Sequence, residues 1–239
     1  MNDYSTLFES RANNYHLAMQ EYPNVRNNEF GSLLSGVDFA NINKVLDIPS
    51  GGGYLKNYLP NHVTVVSTDF SEGFAKEDIT LVTPEKFPFE SDSFDAIFSL
   101  SGMHHLKNVP LFVEECLRVL KKDRNFIFAD VKKGTNVDFF LNNFLNEHSS
   151  FGHEGLFFEE NYFEKHSHIQ KKIVDCQYNE YPFLFTDESE MILFFKLFFG
   201  LDKATDTIIA EGVRDILGIV KKENGLEVNW GLLRYTLKK

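Results

Sequence analysis

Asp47 stands near the end of the apolar run 44–48, which is followed directly by Pro49-Ser50-Gly51-Gly52-Gly53; a second acid, Asp69, follows the next apolar run, 63–68. This arrangement suits a nucleotide cofactor. Glycines let the backbone approach a ligand closely, and a carboxylate accepts hydrogen bonds from both ribose hydroxyls. His104 and His105 follow a fourth run, 94–100. An imidazole with a reference pKa of about 6.5 suits taking a proton from a phenol or an alcohol. Adjacent side chains point apart, so one of the two histidines is expected to reach a pocket, with His105 favoured.

These residues need elements to position them. Apolar residues recur at helical spacing over 5–22 and predict a helix that ends at Pro23, followed by a second over 25–39. Short strands are expected at 44–48, 63–68, 79–82, 94–100 and 126–129. A short helix follows the glycine turn at 54–59, and an amphipathic one spans 108–120. Strands alternating with helices in this way predict a parallel, doubly wound α/β sheet. Ligands then sit beyond the carboxyl ends of the strands, where Asp47, Asp69, Thr83, the 99–105 segment and Asp130 fall. After Asp130 the alternation breaks. A Phe-rich stretch with a Gly-rich loop at 151–155 precedes a long strand over 169–185, helices near 187–199 and 202–217, and a final strand over 229–237.

Charge narrows the ligand. The chain has 239 residues, 24 Lys+Arg and 35 Asp+Glu, for a net charge of −11. With basic pairs scattered, it is a poor binder of phosphate backbones, and no nucleic-acid partner is expected. No apolar run is long enough to span a bilayer, and the polar N-terminus has no signal-peptide pattern. No membrane association is therefore expected, and a cytoplasmic location is. Cys116 and Cys176 have no partner motif and read as buried thiols. At the turn itself, an acid stands where a pyrophosphate would be repelled, and the glycines are contiguous rather than spaced as in G-x-G-x-x-G. A cation such as a sulfonium bearing an ammonium group is favoured there. S-adenosylmethionine meets that requirement better than a nicotinamide dinucleotide.

Four ordered segments then become specific: VLDIPSGGG, VVSTDFS, FPFESDSFDAIFSLSGMHHLKN and ECLRVLKKDRNFIFADV. Over about residues 40–131 they resemble the class I S-adenosylmethionine-dependent methyltransferases, in particular the small-molecule "type 11" branch. The segments RANNYHLAMQEYPNVRNNEF and NEHSSFGHEGLFF resemble one subfamily of these enzymes in bacterial secondary metabolism. The resemblance implies a seven-stranded Rossmann-like sheet with a helical N-terminal lid and a cap after strand five. It implies a cofactor site in which Asp47, Pro49, Ser50, Gly51, Gly52 and Gly53 line the methionine end. Asp69 would hold the ribose, Phe70 would flank the adenine, Thr83 and Pro84 would lie by the adenine ring, and Ser99, Leu100 and Ser101 would face the sulfonium. S-adenosyl-L-homocysteine would be the product. The chain departs from the pattern at Pro49, where the family has glycine, and at Thr83-Pro84, where an acid usually meets the adenine amine.

The expected organisation is one domain: a lid at 1–40, a cofactor-binding core at 41–134, an acceptor cap at 135–170 and the rest of the sheet at 171–239. The expected activity is methylation, most simply at oxygen, of a small apolar or aromatic acceptor, free or bound to a carrier protein. Alternatives are carbon methylation of an aromatic ring, or a partner or cyclase that binds the cofactor without methylating. Tyr15, Met19 and Tyr22 on the first helix, with Phe144, His148 and His153 of the cap, are the candidate acceptor contacts. His104 or His105 is the candidate base. No metal is expected, because the five-residue spacing of His148 and His153 in a Gly/Ser loop lacks the rigid presentation of a helical H-x-x-x-H site.

Overall fold

Among the described residues, eight strands make one sheet: β1 (Lys44–Asp47), β2 (Thr64–Asp69), β3 (Ile79–Leu81), β4 (Phe94–Leu100), β5 (Leu120–Asp130), β6 (Ile173–Phe185), β7 (Ile219–Lys222) and β8 (Gly225–Lys238). The structure is a computed structural model and describes residues 4–76 and 78–239. The order is β3-β2-β1-β4-β5-β8-β6, with β7 paired to β8 alone. β3, β2, β1, β4 and β5 run parallel, and β8 enters antiparallel between β5 and β6. Val45, Leu46, Ile97 and Phe98 on the central strands are wholly buried. Strands covered on both faces read as continuous apolar runs, which is why β1 and β4 were legible without alternation. The direction of winding reverses between β1 and β4, so a crevice opens at their carboxyl ends.

Helices cover both faces. α1 (Tyr4–Glu21), α2 (Asn27–Leu34), a helix over 136–148 (α4), α5 (Glu188–Phe199) and α6 (206–217) pack one face, with Phe30, Phe140, Phe194, Phe195 and Val213 buried among them. α3 (Val109–Val119) covers the other through Phe112, Val113 and Cys116 against Phe126 and Phe128 of β5. Most of the phenylalanines therefore fill core. Cys116 and Cys176 are free thiols. Among the described residues, no helix is long and apolar enough to cross a membrane.

Several boundaries differ from the sequence reading, each for a local reason. α2 stops at Leu34 rather than Phe39, because Ser35 is extended and Gly36 takes φ 73°. The element after the glycine turn, Tyr54–Tyr58, is a 3₁₀ run rather than an α-helix. β6 begins at Ile173, after a single helical turn at Ser167–Gln170. The last strand starts at Gly225 and folds back on β7, which adds an eighth strand to the seven expected.

Candidate active site

A cavity lies at the carboxyl ends of β1, β4 and β5. Its floor is the turn after β1. Gly51, Gly52 and Gly53 take φ values of 54°, 100° and 75°, a left-handed run that only glycine adopts without strain. The Ser50 amide donates to Thr68 O at 2.8 Å and the Gly51 amide to Asp69 Oδ2 at 2.9 Å, which ties the turn to β2. Asp69 Oδ1 accepts from the Phe70 and Ser71 amides at 2.8 and 3.1 Å. Asp69 is fully buried, and α1 covers the loop after it. Ser71 Oγ donates to Ser5 O at 3.0 Å, and a Cβ on Gly73 would lie 2.1 Å from Phe8 O.

Asp47 lines the cavity while only 4% exposed, and its Oδ2 has no hydrogen-bond partner. Burial, then the nearby Asp69 carboxylate, pushes its pKa well above the usual carboxylate range. Ser50 Oγ, on the same wall, also lacks a partner. Ser101, in the left-handed region at φ 52°, turns its hydroxyl to donate to Glu29 Oε1 at 3.3 Å. Glu29 pairs with Arg26, both almost wholly buried, and Arg26 Nη1 donates to Tyr15 Oη at 2.7 Å. Burial opposes the Arg26 charge, but Glu29 and then Tyr15 more than offset it and hold its pKa above the ordinary value.

Three imidazoles form the far wall. Asp130 Oδ1 accepts from His104 Nδ1 at 2.5 Å, and Oδ2 takes the Met103 and His104 amides at 2.9 and 3.2 Å. The 151–157 loop returns over the site, with the Leu156 amide bonded to His104 O at 2.9 Å. Asn142 and Asn146 of α4 pin it. Asn142 Oδ1 meets His153 Nδ1 at 3.1 Å and the Gly155 amide at 2.8 Å, and Asn146 Oδ1 takes the His153 amide at 2.8 Å. Asn142 lies in the π-helical segment Phe140–Leu145, a local widening that also presents Leu141 and Leu145 to the cavity. Burial, then the other imidazoles, then Arg11, hold His105 well below its ordinary pKa; burial, then His104 and Arg11, do the same for His153.

The structure thus brings Tyr15, Asp47, Pro49, Ser50, Gly51, Leu100, Ser101, His104, His105 and His153 to one cavity. Both His104 and His105 line it, because Met103–His105 forms a 3₁₀ turn rather than an extended segment that would send neighbours to opposite sides. Gly52, Gly53, Asp69, Phe70 and Ser99 do not line the cavity. Thr83 borders a separate groove at the sheet edge, and Pro84 adjoins it, because β3 is the outermost strand. Met19 is core, Tyr22 packs on Phe194, and Phe144 stacks on Phe140 with His148 against it at 4.5 Å.

Arg11, Arg26, Glu29, Phe198 and Trp230 are site residues that the sequence reading does not single out, and Asp130, expected at a strand end, gains its role through His104. The signal for the helical ones was present. Phe8, Arg11 and Tyr15, and likewise Arg26, Glu29, Phe30 and Leu33, fall at i, i+3, i+4 and i+7 spacing, so charges share the apolar face of a helix.

Residues 46–128 match the family described as "Methyltransferase domain". The chain is 28% identical over 116 residues to the uncharacterized methyltransferase YcgJ of Bacillus subtilis (strain 168), covering 43% of this chain and 46% of that one. It is 29% identical over 91 residues to the ubiquinone biosynthesis O-methyltransferase of Agrobacterium fabrum, covering 33% and 36%. The chain thus spans less than half the length of these curated relatives. Among solved structures, a Thermotoga maritima protein described as an S-adenosylmethionine-dependent methyltransferase, possible histamine N-methyltransferase, superposes with a TM-score of 0.62 at 14% identity, over 98% of this chain and 99% of that one. Residues 46–128 thus resemble a methyltransferase domain, and the sheet has the fold of solved structures described as S-adenosylmethionine-dependent methyltransferases.

Proposed function

We propose that the protein transfers a methyl group from S-adenosylmethionine to an oxygen of a small, largely apolar or aromatic acceptor. The observation that carries this reading is the buried, unpartnered Asp47 Oδ2 beside the unpartnered Ser50 Oγ on the cavity wall. Two buried acids, Asp47 and Asp69, stand close enough to repel each other, and a cation at Asp47 relieves both the desolvation and the repulsion. The residues present fit the methionine end of the cofactor: Asp47, Ser50 and Glu29 would hold its ammonium group, and Arg26 its carboxylate. When bound, the cofactor supplies a methyl group on a sulfonium, whose charge is lost as a nucleophile takes it.

The rest of the chemistry belongs to the chain. Asp130 fixes His104 with Nδ1–H donating, which leaves Nε2 with the lone pair that accepts a proton from an acceptor hydroxyl. Phe8, Phe74, Phe198 and Trp230 exclude water and give an apolar acceptor its surface. The ordered site supplies alignment, from which methyl transfer gains most.

The test is calorimetric titration with S-adenosylmethionine and S-adenosylhomocysteine, followed by a screen of phenolic and aliphatic alcohols for products one methylene heavier. Micromolar cofactor binding with methylation of a hydroxylated acceptor supports the reading. Absence of binding to either ligand overturns it. Binding with products methylated only at carbon or nitrogen overturns the choice of oxygen.

A further inference from the structure

The three imidazoles have a geometry that a general base does not need. One ring nitrogen from each of His104, His105 and His153 lies within 4.8 Å of the other two, and all three residues are buried. The rings crowd one another, with centroids 4.1, 5.1 and 5.5 Å apart. From these positions we propose that His104, His105 and His153 bind a divalent transition-metal ion of the zinc type, leaving one coordination position open to the cavity.

Two further features support it. Histidines that ligate a metal usually donate their other ring N–H to a carboxylate or carbonyl oxygen, which fixes the tautomer and the ring plane. His104 does so to Asp130 Oδ1 at 2.5 Å and His153 to Asn142 Oδ1 at 3.1 Å, so Nε2 is the nitrogen each has left. Asp130 also supplies negative charge beside the cluster. Arg11, the nearby cation on the wall, donates to Phe198 O at 2.9 Å, and the Asp202 charge offsets part of its own.

The donor set decides the class of ion. Three neutral imidazoles suit zinc, cobalt, nickel or copper, whereas magnesium and calcium take oxygen ligands. A tetrahedral ion with nitrogens at about 2.0–2.1 Å needs them about 3.4 Å apart. The nitrogens therefore draw together by up to about 1.4 Å on the ion. Three protein ligands plus an open position is the catalytic rather than the structural pattern. The open position faces the cavity, where an ionised phenol or hydroxy-acid oxygen would fill it. A nitrogen that ligates an ion cannot also take a proton, so loading converts His104 from base to ligand.

The inference rests on the imidazole cluster and not on the methyltransferase reading. Protein dialysed against a chelator is titrated with Co²⁺ and followed by visible ligand-field absorption, with Zn²⁺ then used to displace it. One equivalent of Co²⁺ per chain, with an intense tetrahedral-type band that Zn²⁺ abolishes, is expected. His153→Ala weakens binding on the order of 100-fold or more, and Asp130→Asn by about 10- to 100-fold. His168→Ala, on an exposed histidine paired with Glu114, leaves it unchanged. Thermal melts show that each variant is folded, and Zn²⁺ raises the melting temperature of the unsubstituted protein and of His168→Ala but not that of His153→Ala. No cobalt band at one equivalent, or a band that survives in folded His153→Ala, overturns the proposal. S-adenosylhomocysteine titrated into the metal-free protein reads cofactor binding separately, so either half can fail alone.

Discussion

Asp130 Oδ1 lies 2.5 Å from His104 Nδ1, and the other oxygen of the same carboxylate takes the Met103 and His104 amides. One acid at the end of β5 thus fixes both the backbone turn after β4 and the tautomer of the imidazole that turn presents. Asparagine keeps the shape but offers its amide N–H or a weaker acceptor in place of the carboxylate. Asp130→Asn should lower the methyl-transfer rate by about 10²- to 10⁴-fold, the range for losing an oriented base. S-adenosylhomocysteine affinity should stay within about threefold, well under the tenfold that 1.4 kcal/mol represents. Single-turnover kinetics beside calorimetry separate the two; a parallel loss of affinity would make Asp130 purely structural.

Asp47 gives a prediction with opposite signs for stability and binding. Its folded pKa is raised, by burial first and Asp69 second. Protonation therefore favours the fold, and that contribution is present in full below about pH 4 and is lost as pH rises through the folded value. Asp47→Asn removes the penalty. At pH 7–8 the ligand-free variant should melt about 3 °C or more above the unsubstituted protein, given roughly 2–4 °C per kcal/mol at this chain length. It should also bind S-adenosylmethionine at least about tenfold more weakly, a loss of about 1.4 kcal/mol. Differential scanning calorimetry across pH checks the first, and a destabilised variant refutes the argument.

The Arg26–Glu29 pair separates structure from binding in another way. Removing one partner of a buried pair strands the other charge, so Glu29→Gln should cost about 3–5 kcal/mol in denaturant titrations. Replacing both, as in Arg26→Met with Glu29→Leu, should recover most of that loss, since an apolar pair of similar volume needs no desolvation. Cofactor affinity should not recover, because the group meant for the carboxylate has gone. A double variant that binds normally would confine the pair to a structural role.

The strand ends were legible because buried parallel strands are short apolar runs, and Asp47, Asp69 and Asp130 punctuate them. The element types followed from the same runs. What sequence spacing did not convey is which side chains converge from distant segments. His153 reaches His104 only because Asn142 and Asn146 hold the 151–155 loop against the turn after β4. Arg26 and Glu29 share a helix face with Phe30 and Leu33 by spacing alone, but their partners, Tyr15 and Ser101, come from distant segments. Thr83 and Pro84, expected beside the adenine by resemblance, follow the edge strand β3, and Thr83 lines a separate groove there. Long-range packing decides each of these cases.

On the proposed reading, in which Asp69 meets the ribose, α1 stands over the place of the cofactor's nucleoside half. Tyr15 Oη would lie 3.1 Å from a Cβ on Gly51, His16 packs over Gly52, and Phe8 and Ser5 cover the loop after Asp69. Asp69 can meet a ribose only after α1 withdraws and its bond from the Gly51 amide rearranges. Association should therefore be gated by opening. The observed stopped-flow rate should level off with rising S-adenosylhomocysteine, the plateau being the opening rate of α1. Phe8→Ala removes apolar contact that holds α1 on Phe74, where the ring centroids are 5.0 Å apart, and should raise the plateau. Hydrogen exchange should place the ligand-induced change in α1 and the loop after β2, with β5 and β8 unaltered. A rate that climbs linearly with ligand, equal in Phe8→Ala, would mean that the cofactor enters without moving α1.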